Sequence, residues 1–518
     1  MSSEKDSFKG RMTRREFLAA AGAASLAAAG GLSGQRVATS ARDMPNILII
    51  ITDQLSQKAV GAYGDKQRVT PHIDALAKSG VRFSSSYTNC PLCQPSRASF
   101  WTGRMPSQTG VNSNGLNYPV PAIKESTATL GEIFSRAGYE TVHFGKQHDA
   151  GALRGFRLVE PEKVELEASA AFPVDSDSQQ DPPTADRCIE YIKTEHNRPF
   201  LAVASLNNPH NICSWVGEFE GPDKLAPIPD DQLPLLPENF EIADLAKRPL
   251  PIQYLCCSHR RLRMASKWSD KQYRQYLAAY YHYVALADEQ VGRIVQALRN
   301  SPAGGNALIV FFSDHGDGMA SHRMVTKQVS FYEETTRIPL IFSGTGLAGY
   351  GRMLLEPLTS LVDLLPTLCD FAGLEAPRDL PGMSLAPWLR GENVSSRREY
   401  VVSEWQTEWG YTVEPGRMLR TDRFKYTSYL EGTGEEFYDL ENDPGEKRNL
   451  AFDGYFRKPL VQHREMLRRH VLQTRDPFFG LAVQVDKRWR SHKLGYPNHE
   501  GPSAPEAAWA EQGKMPDK

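Results

Sequence analysis

Three stretches of this sequence are apolar throughout, without the alternation of polar and apolar residues that marks a half-exposed strand. They lie at Ile47–Ile51, Leu201–Ala204 and Leu308–Phe312. Strands of this kind are buried on both faces, which is typical of the centre of a parallel sheet covered by helices. The chain is therefore predicted to be an α/β protein with a large mixed, mostly parallel sheet flanked by helices.

Polar residues follow each run where its strand is expected to end. Asp53 and Gln54 follow the first, His210 follows the second after a short polar segment, and Asp314 and His315 follow the third. Open α/β sheets bind ligands at the carboxyl ends of their strands, so Asp53 and Asp314 can converge on one cation. Carboxylates favour Ca²⁺ or Mg²⁺, and the histidine leaves Mn²⁺ or Zn²⁺ open. A turn cap is the alternative role for Asp53.

A second constraint is the segment that runs from Cys90 through Cys93 to Arg97. Pro95 and Ser96 can open a helix, because proline is favoured in the first helical turn. Cys93 would then lie at the positive end of that helix, where a thiol has a depressed pKa and is nucleophilic. A buried cysteine acting as a small apolar residue and a Cys90–Cys93 disulfide are the alternatives.

The segments Cys93–Arg97 and Thr102–Arg104 resemble the Cys-x-Pro-Ser-Arg and Thr-Gly-Arg signature of the formylglycine-dependent sulfatases, which are arylsulfatase-like members of the alkaline-phosphatase superfamily. The resemblance extends from about residue 44 to 452 and implies an alkaline-phosphatase-like fold. Other segments that resemble the same family are Gly145–His148, Pro209–His210, Asp314–Gly316 and Lys327.

The resemblance implies that Cys93 is converted by a formylglycine-generating enzyme to formylglycine (3-oxoalanine), whose hydrate is the nucleophile. It also implies one divalent cation, with Ca²⁺ as the first expectation and Mg²⁺ or Mn²⁺ as alternatives. The implied ligands are Asp53, Gln54, Cys93, Asp314 and His315. Gln54 departs from the two adjacent acidic residues of the family, and its amide oxygen would coordinate without charge.

The remaining residues carried over by the resemblance surround the sulfate. Arg97 and Lys146 would orient and activate the hydrate, and Lys327 and His210 would hold sulfate oxygens. One of Lys327 and His210 would protonate the departing alcohol. His148 would take a proton so that the aldehyde reforms and sulfate leaves. The predicted activity is hydrolysis of sulfate monoesters by a sulfuric ester hydrolase.

Two other functions stay open at this point. Phosphonate monoester or phosphodiester hydrolases of the same superfamily also carry the Cys-x-Pro-Ser-Arg nucleophile and an Asp-Gln first element. A catalytically silent sulfate- or sugar-binding protein would keep the fold but would need no nucleophile. Export favours a sulfated carbohydrate as the substrate, and Trp215, His322 and Trp405 are candidate sugar contacts.

The chain is predicted to contain four regions. Residues 1–41 include Arg14-Arg15 and resemble a twin-arginine export signal, which predicts a periplasmic or extracellular protein. Residues 42–395 are the predicted catalytic domain, and 396–475 are a small α+β subdomain with an antiparallel sheet and one helix. Residues 476–518 are predicted to be an extended or partly disordered tail.

A long helix is predicted at 273–298, where apolar residues recur at three- and four-residue spacing. Its cluster at Tyr280, Tyr281 and Tyr283 is predicted to belong to the core. No run of 18 apolar residues is present, so no membrane span is expected. The net charge of −2 gives no basis for a nucleic-acid surface, and seven scattered cysteines imply no disulfide framework.

Overall fold

The computed structural model describes residues 44–481 apart from 115–119, 161–168, 174–180, 242–247, 250, 254–264, 266, 328–329, 396, 407–414 and 431–433. The predicted signal segment and most of the predicted tail lie outside these residues. The strands are β1 Asn46–Asp53, β2 Gly80–Phe83, β3 Ser86–Tyr87, β4 Glu140–Gly145, β5 Arg157–Val159, β6 Phe200–Pro209, β7 Ala307–Ser313, β8 Leu340–Gly344, β9 Arg352–Leu354, β10 Thr359–Ser360, β11 Val401–Trp405, β12 Gly416–Arg420, β13 Phe424–Tyr429 and β14 Glu435–Asp439.

The α-helices vary from single turns to one helix of 30 residues. They are α1 Pro71–Lys78, α2 Cys93–Thr102, α3 Pro106–Thr109, α4 Leu130–Arg136, α5 Asp181–Lys193, α6 Ile212–Gly217, α7 Asp270–Arg299, α8 Glu333–Thr336, α9 Leu364–Phe371, α10 Ala386–Leu389 and α11 Arg457–Thr474. None of the helices among the described residues is long and apolar enough to cross a membrane.

The large sheet has eight strands in the order β5-β4-β6-β1-β7-β8-β2-β9. The three apolar runs of the sequence form its centre, where β1 pairs in parallel with β6 on one side and β7 on the other. β8 is the strand that runs antiparallel to its neighbours β7 and β2. The prediction of a mixed, mostly parallel sheet is confirmed.

The two faces of the large sheet have separate hydrophobic cores, as two-sided burial requires. Leu48 and Ile50 of β1 face a core that includes α7, whereas Ile47, Ile49 and Ile51 face a core that includes α2. Successive residues of a strand point to opposite faces, so a fully apolar β1 fills both cores at once. This arrangement fixes the carboxyl end of β1 in the middle of the molecule.

The carboxy-terminal part forms a four-stranded antiparallel sheet in the order β11-β12-β13-β14. Leu460 and Leu467 of α11 pack on it in a third hydrophobic core, which confirms the predicted small sheet with one helix. The first residues of the predicted tail also belong to this region, since Asp476 accepts two hydrogen bonds from the Arg417 guanidinium, at 2.6 and 2.9 Å. Phe478 is buried in the same core.

A buried lysine joins this small sheet to the part of the chain that precedes β8. Lys425 on β13 lies 2.9 Å from Glu333 of α8 and 2.8 Å from Glu446, and the side chains of all three are nearly inaccessible. Burying charges is costly, so each one depends on the others for compensation. Lys425 therefore links the sheet to the segment just before β8.

Replacing Lys425 by methionine should destabilise the whole chain by about 3–5 kcal/mol, because two buried carboxylates lose their cation. The expected result is a lower midpoint in urea, measured by circular dichroism. Lys458→Met, at an exposed position on α11, is the matched control and should change stability by less than about 0.5 kcal/mol. Equal midpoints for the two variants would contradict this account.

Candidate active site

The carboxyl ends of β1 and β7 bring two aspartates side by side. Thr52 is paired with Ser313, so Asp53 and Asp314 are the next residues on two neighbouring parallel strands. Both carboxylates are fully buried. Two adjacent buried anions repel each other and require positive charge between them.

Cys93 is the first residue of α2, which begins two residues before the predicted start at Pro95, and 1% of it is exposed. Its Sγ lies 3.2 Å from His315 Nε2, and its thiol points at Asp53 Oδ1 at 3.7 Å. Cys90 and Cys93 are both free, which excludes the disulfide alternative. The thiol therefore faces the two strand ends.

His315 is held with one ring nitrogen toward the cluster. Its Nδ1 lies 2.9 Å from the Gly316 carbonyl oxygen, which can only accept, so Nδ1 carries the proton. Nε2 then faces Cys93, with Asp314 Oδ1 at 3.7 Å and Asp53 Oδ1 at 3.9 Å. A main-chain partner of this kind is how proteins orient metal-binding histidines.

Arg97 lies one turn along α2 and binds both aspartates. Its Nε donates to Asp314 Oδ2 at 2.9 Å, and one terminal nitrogen donates to Asp53 Oδ2 at 3.2 Å. The other terminal nitrogen donates to Ser205 Oγ at 2.8 Å. Because these bonds occupy the guanidinium, Arg97 holds the two carboxylates together in this structure.

Three further predicted residues, Lys146, Lys327 and His210, lie close enough to Asp53 to lower its pKa. Lys146, just after β4, has its Nζ 2.8 Å from Asp53 Oδ2 and 3.3 Å from Asn207 Oδ1. Lys327 is buried, and His210 directly follows β6. His148 is half-buried two residues beyond Lys146, with a φ of 60°. Its role stays a prediction.

The cations determine the protonation of the site. Burial, and then Asp53, oppose ionisation of the Cys93 thiol, but Lys327, His315 and Lys146 hold its pKa well below its usual range. Burial also opposes ionisation of Asp53, yet Lys146, His210 and Lys327 keep the Asp53 pKa low. These cations therefore favour the anionic forms of Cys93 and Asp53.

The other two groups are shifted in the opposite direction. Burial and the Asp53 charge raise the pKa of Asp314 to about 6. Burial disfavours the charged form of His315, but Asp314 and Cys93 raise its pKa to about 9. A divalent cation would have to displace the proton on His315, so binding would release protons.

Four side chains fit a metal ion among the described residues. One ligand atom from each of Asp53, Cys93, Asp314 and His315 lies within 4.8 Å of the others, and all four residues are buried. Two carboxylates and an imidazole, with an oxygen nucleophile in place of the thiol, would make an oxygen-rich set that suits Ca²⁺, Mg²⁺ or Mn²⁺.

Gln54 lies beside this group with its main chain in the left-handed region, at a φ of 75°. Its side-chain nitrogen donates to Asp317 Oδ2 at 2.7 Å, and its Oε1 accepts from the Cys213 thiol at 3.2 Å. Its backbone N–H donates to Asp314 Oδ1 at 3.1 Å. Its place among the metal ligands stays a prediction.

Several residues that build the site could not be singled out from sequence. Ser205 binds Arg97, and the buried Asp181 accepts from the backbone N–H groups of Asn207 and Asn208 at 2.5 and 3.0 Å. Asp181 thereby fixes the end of β6, next to His210. No motif marks Ser205 or Asp181, because their roles depend on contacts with distant strands.

The structure does not support the predicted sugar contacts. Trp215, His322 and Trp405 are each at most 1% exposed, so none presents a free ring face on which a sugar could stack. Trp215 packs edge-on against Trp268, and His322 stacks on Tyr332 with ring centroids 4.2 Å apart. An aromatic residue near a site in sequence is as suitable for the core as for a sugar, and sequence cannot separate the two.

Comparison with known proteins agrees with this geometry. The model of the Sulfatase family matches residues 45–374, and the model described as N-sulphoglucosamine sulphohydrolase, C-terminal, matches residues 320–474. A Delta 4,5-hexuronate-2-O-sulfatase of Bacteroides thetaiotaomicron is 47% identical over 477 residues, which is 92% of this chain and 99% of the relative.

Solved structures show the same likeness. A 2-O GAG sulfatase superposes with a TM-score of 0.84 at 48% identity, covering 90% of this chain and 100% of its own. A phosphonate monoester hydrolase of Agrobacterium radiobacter reaches a TM-score of 0.66 at 23% identity, covering 84% and 97%, and at that identity it shows the fold alone. The chain belongs to the sulfatase family and has its alkaline-phosphatase-like fold.

Proposed function

We propose that this sulfatase removes the 2-O-sulfate from hexuronate residues of glycosaminoglycan fragments, with a formylglycine at position 93 and a divalent cation beside it. The observation that supports this choice of substrate is the 47% identity to a Delta 4,5-hexuronate-2-O-sulfatase over 99% of that relative's length. The buried cluster around Cys93 supports the chemistry, because a binding protein would need no nucleophile next to paired carboxylates.

Asp53, Asp314 and His315 would hold the cation, with Gln54 as a further ligand. When bound, the cation would supply positive charge that stabilises the anionic groups of the site. Formylglycine would replace the Cys93 thiol by an aldehyde, which on hydration gives an oxygen nucleophile. The buried, nearly inaccessible position of residue 93 would keep bulk water away from it.

The side chains around the cluster would bind and orient the sulfate ester. Lys146 is 2.8 Å from Asp53 Oδ2 and has freedom at its tip to reach a sulfate oxygen, because it is partly exposed. Lys327 and His210 would hold sulfate oxygens, one of them giving a proton to the leaving alcohol. Arg97, fully engaged with Asp53 and Asp314, would keep the ligands in place.

The modification at Cys93 can be tested by mass spectrometry of the tryptic peptide that contains it. Conversion of the thiol carbon to an aldehyde should lower the mass by about 18 Da, and the aldehyde should react with a hydrazide. Cys93→Ala should lose at least about a thousandfold in kcat/KM, whereas Cys188→Ala, at another buried and free cysteine, should keep its activity. Unmodified Cys93 in active protein would refute the mechanism.

Cation binding can be tested by removing the metal. Protein treated with EDTA should lose activity and melt at a lower temperature, and Ca²⁺ at about a hundred times its Kd should restore about 2.7 kcal/mol. Asp314→Asn should abolish this Ca²⁺-dependent stabilisation. Asp231→Asn, at an exposed site, should respond to Ca²⁺ as the unaltered protein does. An Asp314→Asn variant that still responds fully would place the cation elsewhere.

The substrate can be tested with two sulfated disaccharides that differ only in the position of sulfate. An unsaturated hexuronate carrying a 2-O-sulfate should have a kcat/KM at least about a hundredfold above that of the isomer sulfated on the hexosamine 6-position, since that ratio corresponds to about 2.7 kcal/mol in the transition state. Equal rates would reject the 2-O assignment but leave the sulfatase assignment intact.

The Asp53-Gln54 pair resembles the first element of phosphonate monoester hydrolases, and this resemblance is the reason to measure a phenyl phosphonate monoester in the same series. We expect a lower kcat/KM for the phosphonate monoester than for the 2-O-sulfated disaccharide. The reverse order would favour a phosphonate monoester hydrolase. We also propose that the protein is exported, on the basis of the twin-arginine-like segment at residues 1–41.

A further inference from the structure

Asp317 is a buried carboxylate next to the site to which the sequence assigned no role. It lies two residues after His315 and is fully inaccessible. Its Oδ2 accepts a hydrogen bond from the side-chain nitrogen of Gln54 at 2.7 Å. Asp317 is thus the residue that contacts the nitrogen end of the Gln54 amide.

The other oxygen of Asp317 is fully occupied. Oδ1 accepts from the backbone N–H of Met319 at 2.8 Å and from the hydroxyl of Tyr276. That hydroxyl in turn accepts from the backbone N–H of Thr326 at 2.7 Å. Because Oδ1 already accepts from two donors, Oδ2 is the oxygen that remains for Gln54. Rotation of the Asp317 carboxyl group would break the hydrogen bonds to Oδ1.

The Tyr276 hydroxyl contacts both ends of the segment from Asp317 to Thr326, and the backbone of this segment is strained. Its non-glycine residues with positive φ are Met319, Ala320, His322, Arg323 and Thr326, at 48–59°. Each such residue costs free energy, so contacts of the surrounding structure must hold the segment in place. These contacts give Asp317 a fixed position relative to Gln54.

The main chain of Gln54 is equally fixed. Its N–H donates to Asp314 Oδ1 at 3.1 Å, and its carbonyl accepts from the Tyr280 hydroxyl at 2.9 Å. What can still vary is the orientation of the side-chain amide, whose oxygen and nitrogen have nearly the same shape. All the hydrogen bonds of the Asp317 carboxyl group come from donors, so Asp317 selects the orientation with nitrogen toward itself.

The opposite end of the amide then carries the oxygen. Oε1 accepts from the Cys213 thiol at 3.2 Å. A thiol is a weak donor, and an amide oxygen has two lone pairs, so Oε1 keeps capacity for a cation. A flipped amide would present two N–H groups there, which cannot coordinate a cation.

We propose that Asp317 is a positioning residue of the cation site, which fixes the Gln54 amide so that its oxygen, and not its nitrogen, is available as a ligand. The proposal rests on the cation of the proposed function but not on the identity of the substrate. It also makes positions 54 and 317 a matched pair. An amide at 54 requires an acceptor at 317, whereas a carboxylate at 54 would require a donor.

The first variant to test is Asp317→Asn, which keeps the shape of the side chain. Its oxygen should stay with the Met319 N–H and the Tyr276 hydroxyl, so its NH₂ group would meet the NH₂ group of Gln54. The Gln54 amide should then flip. The expected result is a Ca²⁺ dissociation constant about 10–100 times higher, measured by calorimetry on EDTA-treated protein.

The second variant is the double substitution Gln54→Glu with Asp317→Asn, which restores one donor facing one acceptor. The Ca²⁺ affinity of the double variant should recover to within about threefold of the unaltered protein. Such a recovery would show that the effects of the two substitutions are coupled and do not simply add. Gln54→Glu alone is measured to complete the double-mutant cycle, since it changes both the charge at position 54 and the contact with Asp317.

Tyr283→Phe is the control. Tyr283 is a buried tyrosine of α7, the helix that also contains Tyr276. Its hydroxyl donates to the Pro173 carbonyl at 2.6 Å and contacts neither Gln54 nor Asp317. It should leave Ca²⁺ affinity unchanged. Thermal melting without Ca²⁺ separates loss of fold from loss of affinity.

Two results would overturn the proposal. They are Ca²⁺ binding by Asp317→Asn within about twofold of the unaltered protein, and a double variant that fails to fold or to recover affinity. The Ca²⁺ affinities are independent of substrate, so a wrong 2-O assignment would leave their order unchanged.

Discussion

The site depends on one buried guanidinium placed between two buried carboxylates. Arg97 reaches Asp53 and Asp314 from the first turns of α2, while the two aspartates come from strands that lie far apart in sequence. Without this positive charge, the two anions at neighbouring strand ends would repel each other strongly, because the dielectric constant of the protein interior is low. The same residue fixes α2 relative to the sheet and so places Cys93 against His315.

The large sheet could be predicted because its signal is local. A strand such as β1, buried on both faces, must be apolar at every position, and that pattern is visible in a single run of residues. Cys93, Arg97, Asp53, Asp314 and Lys146 were found for a related reason, since each lies at the end of such a strand or in a short motif. The structure brings these five together.

What could not be predicted depends on contacts between distant segments. Tyr280 was predicted to be core, and it is buried, yet its hydroxyl also holds the Gln54 carbonyl. Asp317 stands in the same short segment as Asp314, but its side-chain partners are Gln54, just after β1, and Tyr276 of α7. A residue that belongs to both core and site has no separate pattern in sequence. Trp215 and Trp405, predicted as sugar contacts, are buried in the core, and no pattern in the sequence separates a core aromatic residue from one that binds a sugar.

The separation of Cys93 and His315 in the sequence determines when the pocket around Cys93 can close during synthesis. His315 lies 222 residues after the cysteine whose sulfur it contacts. At translation rates of about 5–20 residues per second, the ribosome needs on the order of 10–40 s to add that length. Throughout this interval the nascent chain lacks β7, so residue 93 has no closed pocket around it. The cysteine is therefore open to an enzyme as an extended peptide first, and it becomes enclosed only when the last central strand arrives.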